Sequence, residues 1–200
     1  AYRVKAKLYH PDMNKSIDRK PKDRDFLRTQ EGMFLCVTGY LHPPDKYTAY
    51  LKYSPVDEGK WQDGETAYRR ELPYYHVSRV GETIEYLAER YPRYVNRCPV
   101  RGFRFSLVPR EGVARYYRPE ERLSVIVQEP MDGLEEQVRE LVSQLALRAG
   151  LEPRTFGVTG SILIGIHNPD FSDIDLTVYG HENARALRDV LRRQASPHIE

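Results

Sequence analysis

The chain has 200 residues and a formal net charge of +2, from 31 Lys and Arg against 29 Asp and Glu, a length for one large domain or two small ones. The near balance excludes a surface that binds nucleic acid everywhere, so any such site is a local patch. Two cysteines, Cys36 and Cys98, exclude a disulfide framework or zinc ribbon, and no run reaches the ~18 apolar residues needed to cross a bilayer.

Residues 1–10 lack the apolar core of a signal peptide, so the expectation is a cytoplasmic protein with reduced thiols and no membrane partner. A charged fraction of 30% fits the surface ion-pair networks of thermophile proteins. Residues 10–28, broken by Pro11 and Pro21 and mixing Lys and Arg with Asp, read as an exposed arm. From residue 33 the pattern changes. Residues 33–40 and 47–53 are rich in strand formers and separated by His42-Pro43-Pro44-Asp45, which predicts two paired strands. Residues 54–66 read as a loop, and residues 74–77 as another short strand. A helix follows, with Ile84, Leu87 and Ala88 at helical spacing and Pro92 as its stop.

Residues 103–108 alternate like a strand, and Pro119 sits where the first turn of a short helix accepts proline. The strongest helix signal covers residues 132–149: Leu134, Val138, Leu141, Val142, Leu145 and Ala146 form one apolar stripe, and Gly150 stands at the cap position. Residues 155–159 and 174–179 read as buried strands, with a last helix over residues 183–193. The expected fold class is therefore α/β in the broad α+β sense. A mixed α+β amino-terminal domain over residues 1–130 precedes a smaller α/β unit over residues 131–200.

Two features of that second unit carry chemistry. Asp173 and Asp175 are two apart, so in a strand both carboxylates share one face while Ile174 and Leu176 turn to the core. Paired hard oxygen donors suit Mg²⁺, which keeps water and substrate phosphate oxygens in its remaining positions. Upstream, Gly160-Ser161 follows a strand and opens a short apolar turn. There the free N–H groups and the Ser161 hydroxyl are placed for a phosphate, and Gly160 permits close approach. No Gly-Lys-Ser/Thr triplet of a Walker loop occurs.

Gly160-Ser161, eleven residues, and then Asp173-Ile174-Asp175 preceded by Ser172 and followed by Leu176 resembles the signature of polymerase-beta-type nucleotidyltransferases, with a leading domain like that of archaeal predicted nucleotidyltransferases. The close match covers about residues 156–180. The resemblance implies a small mixed sheet with helices, a nucleoside triphosphate gripped at Gly160 and Ser161, and two Mg²⁺ ions partly held by Asp173 and Asp175. It also implies transfer of a nucleoside monophosphate to a hydroxyl on RNA, a small molecule or a protein. The family uses a third acidic residue on a strand after the next helix. That residue is not seen in the 200 positions, and Asp189, on the helix itself, is a poor substitute. The alternative is therefore a non-catalytic nucleotide- or RNA-binding module of the same fold.

Other residues carry less. The arginines at 90, 93, 97, 101 and 104, interleaved with aromatic residues, read as a charged surface paired with carboxylates rather than a base-stacking surface. His167 reads as a polar loop residue, and Cys36 as packing.

Overall fold

The structure, a computed structural model, describes residues 19–71 and 77–195. It is a mixed α+β fold built on an antiparallel sheet. Strands β1 (Phe26–Thr29), β2 (Phe34–Val37), β3 (Lys46–Val56), β4 (Trp61–Asp63) and β5 (Thr66–Arg70) are followed by helix α1 (Val77–Arg90). Strands β6 (Val95–Arg97), β7 (Arg104–Pro109) and β8 (Val113–Tyr117) complete the sheet. Its order is β4-β5-β3-β2-β1-β8, with β6 on β7 and β7 on β3. β3 is long enough to pair twice along one edge, through residues 46–48 with β7 and through residues 53–56 with β5.

The register between β2 and β3 slips once: Phe34 faces Tyr53 while Leu35 faces Leu51. Lys52 is thus the extra residue of a β-bulge, a device that bends a strand and re-aims its side chains. On one face of the sheet Leu35, Leu51 and Val108 pack with Leu87 of α1. On the other, Phe26, Phe34, Cys36 and Tyr53 meet Leu163, Ile164 and Ile166.

The remaining elements form the α/β unit: α2 (Pro119–Gln128), α3 (Gly133–Ala149), β9 (Phe156–Thr159), α4 (Gly160–Ile164), β10 (Asp175–Val178) and α5 (His181–Ala195). α3 begins where Asp132 accepts from the backbone N–H groups of Leu134 at 2.9 Å and Glu135 at 3.0 Å, as an N-cap should. Leu134, Val138, Val142 and Ala146 are its buried stripe. They pack with Leu123 and Ile126 of α2 and with Phe156 and Val158 of β9, so the core of this unit already begins at α2. A Cβ on Gly157 would lie 2.6 Å from Pro119 Cβ; the missing side chain lets α2 lie directly on β9. β9 and β10 pair antiparallel, and among the described residues they form a two-stranded sheet.

Several local expectations change. The arm expected over residues 10–28 lies outside the described residues as far as residue 18. Its end is β1, because the Asp25 charge that suggested exposure is fully buried against Arg19. The loop expected over residues 54–66 holds the end of β3 and a tight hairpin between β4 and β5, turning at Gly64-Glu65. Asp63-Gly64 was the available signal for that turn. Residues 74–76 of the expected strand lie outside the described residues, and Val77 opens α1. No helix among the described residues is long and apolar enough to cross a membrane.

Candidate functional site

The two halves of the motif meet through the register of β9 and β10. Thr159 is the cross-strand partner of Asp175, so the residue after Thr159 turns beneath the Asp175 carboxylate. Gly160 makes that turn with φ +70°, and a Cβ there would stand 2.8 Å from Asp175 Oδ2. A side chain is excluded twice, by the left-handed backbone and by the carboxylate above it. Exposure alternates as expected, although β10 begins only at Asp175 and Asp173 lies before it rather than in a strand: Asp173 and Asp175 are exposed, whereas Ile174 and Leu176 pack against the core of the α/β unit. The carboxylates share the solvent face.

The loop between α4 and β10 is held at both ends. The Asn168 N–H donates to Ser172 Oγ at 2.9 Å, and the Ser172 N–H donates to the Asn168 carbonyl at 2.9 Å. This closes the turn that leads into Asp173. His167 lies in this loop, as expected, with its side chain only 8% exposed, and its Nε2 lies 2.8 Å from Asp132. Asp132, Glu135 and His167 offer donor atoms within 4.8 Å of one another, a spacing that an ion could fill. Their donors are already engaged: Asp132 caps α3, Glu135 pairs with the Arg122 guanidinium and accepts from the Met131 N–H at 2.8 Å. This cluster ties α2, α3 and the loop together.

A cavity of about 280 Å³ opens between the large sheet and the α/β unit, lined by Arg24, Cys36, Lys52, Thr159, Gly160 and Asp175 among others. Gly160 and Asp175 of the expected site thus face it. Ser161 sits one residue further into α4 and is 8% exposed, and Asp173 lies just before β10, on the same face as Asp175. The opposite wall was not anticipated from the sequence. Strand alternation from Leu51 brings Lys52 there, on the face of Cys36, and it is 4% exposed. Burial pushes its ammonium down to about 8, Arg70 adds to the lowering, and Cys36 and Asp175 oppose it. Arg24 has a left-handed backbone at φ 72°, its carbonyl accepts from the Thr159 hydroxyl at 2.9 Å, and its guanidinium lies 3.5 Å from Asp23. Burial raises the Cys36 thiol to about 11, so it is protonated and packs as an apolar group. The one sequence signal for Lys52 was a charge set among the apolar and aromatic residues of a predicted strand; Arg24 had none.

A second set of contacts fixes the two walls relative to each other. Asp25, fully buried, accepts two bonds of 2.8 Å from Arg19, one of 2.8 Å from the Lys22 N–H and one from the Tyr116 hydroxyl. Arg19 also reaches Glu120 on α2, which accepts from the Tyr179 hydroxyl at 2.8 Å just beyond β10. Against the upward push of burial, Arg19 and Tyr179 hold Glu120 below the usual carboxylate range. Lys22 lies 3.9 Å from the Tyr179 ring centre.

No family model matches the chain, and no solved structure matches it. It is similar to an uncharacterised protein of Methanocaldococcus jannaschii, with 30% identity over 178 residues, covering 87% of this chain and 52% of that protein. The chain thus spans about half the length of that relative.

Proposed function

We propose that this chain is the nucleotide-binding part of a Mg²⁺-dependent, polymerase-beta-type nucleotidyltransferase. It would act in the cytoplasm, moving a nucleoside monophosphate from a nucleoside triphosphate to a hydroxyl on RNA, a small molecule or a protein. The observation that carries the reading is the seating of the Asp175 carboxylate directly over Gly160, with Asp173 on the same face. A phosphate turn and a hard-oxygen donor pair then adjoin, as metal-assisted phosphoryl chemistry requires.

The donor set fits the ion: exposed carboxylates with room for water and phosphate oxygens suit Mg²⁺, and Asp173 and Asp175 would hold it. When bound, Mg²⁺ supplies charge neutralisation and alignment at the reacting phosphate. The residues of the chain itself provide the geometry. The Gly160 turn lets the Asp175 carboxylate lie close against the backbone, the Asn168–Ser172 turn sets the position of Asp173, and the cross-strand pairing sets that of Asp175.

The alternative reading is a non-catalytic nucleotide- or RNA-binding module of the same fold, in keeping with Asp189 standing exposed on α5, 3.6 Å from Arg188. Calorimetric titration with each nucleoside triphosphate, with and without Mg²⁺, tests the shared site. Asp173→Asn and Asp175→Asn are each expected to weaken Mg²⁺-dependent binding at least about tenfold, the loss of one charge-assisted contact. Undiminished binding in both variants refutes the assigned roles. Pyrophosphate release by the full native chain then separates enzyme from binding module.

A further inference from the structure

The cavity beside Asp175 has walls of opposite charge from two parts of the chain. The α/β unit contributes the carboxylate and the glycine turn; the large sheet contributes Lys52 and Arg24. Lys52 is there by ordinary strand alternation. Tyr47, Ala49 and Leu51 of β3 lie in the core under α1, so Lys52 falls on the opposite face, that of Cys36 and the cavity. The bulge then turns Tyr53 onto that same side, where it packs with Phe34 and Cys36. Two consecutive side chains serve one face, which regular strand geometry forbids. A buried ammonium is costly unless groups of opposite charge compensate it. Asp175 is one such group.

A metal-bound polyphosphate is a larger one. Asp173 and Asp175 cancel much of the positive charge that divalent ions bring, so a polyphosphate seated over Gly160 retains negative charge that the ions do not neutralise. Lysine and arginine clamps meet that charge in phosphoryl-transfer sites. Arg24 is fixed for the role by its backbone: the Thr159 hydroxyl, one residue before the glycine turn, donates to its carbonyl.

Resting on the nucleotidyltransferase reading above, we propose that Lys52, on the cavity face of β3 and assisted by Arg24, binds the polyphosphate of the nucleotide, so that the amino-terminal sheet forms one wall of the substrate site. The sheet is then part of the nucleotide site itself, and an α/β unit cut away from it lacks half of the phosphate-binding charge.

Titration of the whole chain with Mg²⁺ and inorganic tripolyphosphate, and with Mg²⁺ and ATP, GTP, CTP or UTP, tests this. The wild type is expected to bind tripolyphosphate, and Lys52→Met to bind it at least about tenfold more weakly, with a melting midpoint no lower than that of the wild type. Lys52→Met binding within about twofold of wild type, while Asp175→Asn has lost binding, overturns the role of Lys52 and leaves the nucleotidyltransferase reading standing. Loss in Lys52→Met with unchanged binding in Asp175→Asn supports the cationic wall and removes the metal-nucleotide reading. A wild type that binds neither tripolyphosphate nor any nucleotide overturns both. If Lys52→Met also loses its melting transition, Lys52→Arg decides: binding kept within a few-fold supports the role, and a tenfold loss ends it.

Discussion

Lys52→Met removes a buried charge while keeping an unbranched stem of similar length, and its effect on stability follows from the position of Lys52. Lys52 is 4% exposed and its pKa falls from the ordinary 10.5 to about 8. At about 1.36 kcal/mol per unit, the folded state bears about 3 kcal/mol against the charged form. The folded pKa lies below the unfolded one, so between about pH 8 and 10.5 the unfolded chain binds the extra proton and stability rises with pH. Below that window the full penalty applies. Lys52→Met should therefore be more stable at pH 7 by up to about 3 kcal/mol, equivalent to a melting midpoint roughly 6–12 °C higher for a chain of this size. The advantage should shrink as pH rises toward 10.5.

Urea denaturation followed by the fluorescence of Trp61, in EDTA so that no divalent ion sits at Asp175, measures both quantities. Tyrosine ionisation at high pH occurs in both proteins and cancels in their difference. A variant less stable than wild type at pH 7, or a difference that does not change with pH, refutes the account of Lys52 as a desolvated cation. A variant that gains stability and loses tripolyphosphate binding shows a site that sacrifices stability for function, a common trade at binding sites.

Two further outcomes are expected. Gly160→Ala places a Cβ 2.8 Å from Asp175 Oδ2 on a backbone at φ +70°; it should destabilise by about 1–2 kcal/mol from the left-handed conformation alone and reduce Mg²⁺-dependent nucleotide binding, and wild-type values for both by calorimetry contradict the geometry. Arg19→Met leaves the buried Asp25 carboxylate without its bidentate partner; a loss of about 3–5 kcal/mol is expected in chemical denaturation, most of it recovered when Asp25→Asn is added, and a loss under about 1 kcal/mol removes this network from the account of how the two walls are held.

The amphipathic helix over Gly133–Ala149, its Asp132 and Gly150 ends, and the strand that begins at Asp175 were legible because each depends on residues within a few positions of one another: a 3.6-residue stripe, a cap, and an alternation of period two. Gly160 and Asp175 were readable as a pair only through the spacing of a known motif. β1 was misread as part of an arm because Asp25 and Phe26 lie in a run of charges, and nothing local says that Arg19 folds onto Asp25 while bridging to Glu120, 101 residues away.

The sequence by itself therefore determined the mixed α+β class, the main helix, and the glycine turn with its carboxylate pair, all set by short-range periodicity and spacing. Only the tertiary structure decided what faces that pair. The register slip between β2 and β3 turns Tyr53 to the face of Lys52, Lys52 meets Asp175 across a cavity between distant segments, and Arg24 is held there by a bond from Thr159, 135 residues away. Register slips and long-range closures arise from packing between distant segments, which leaves no periodic trace in either segment alone.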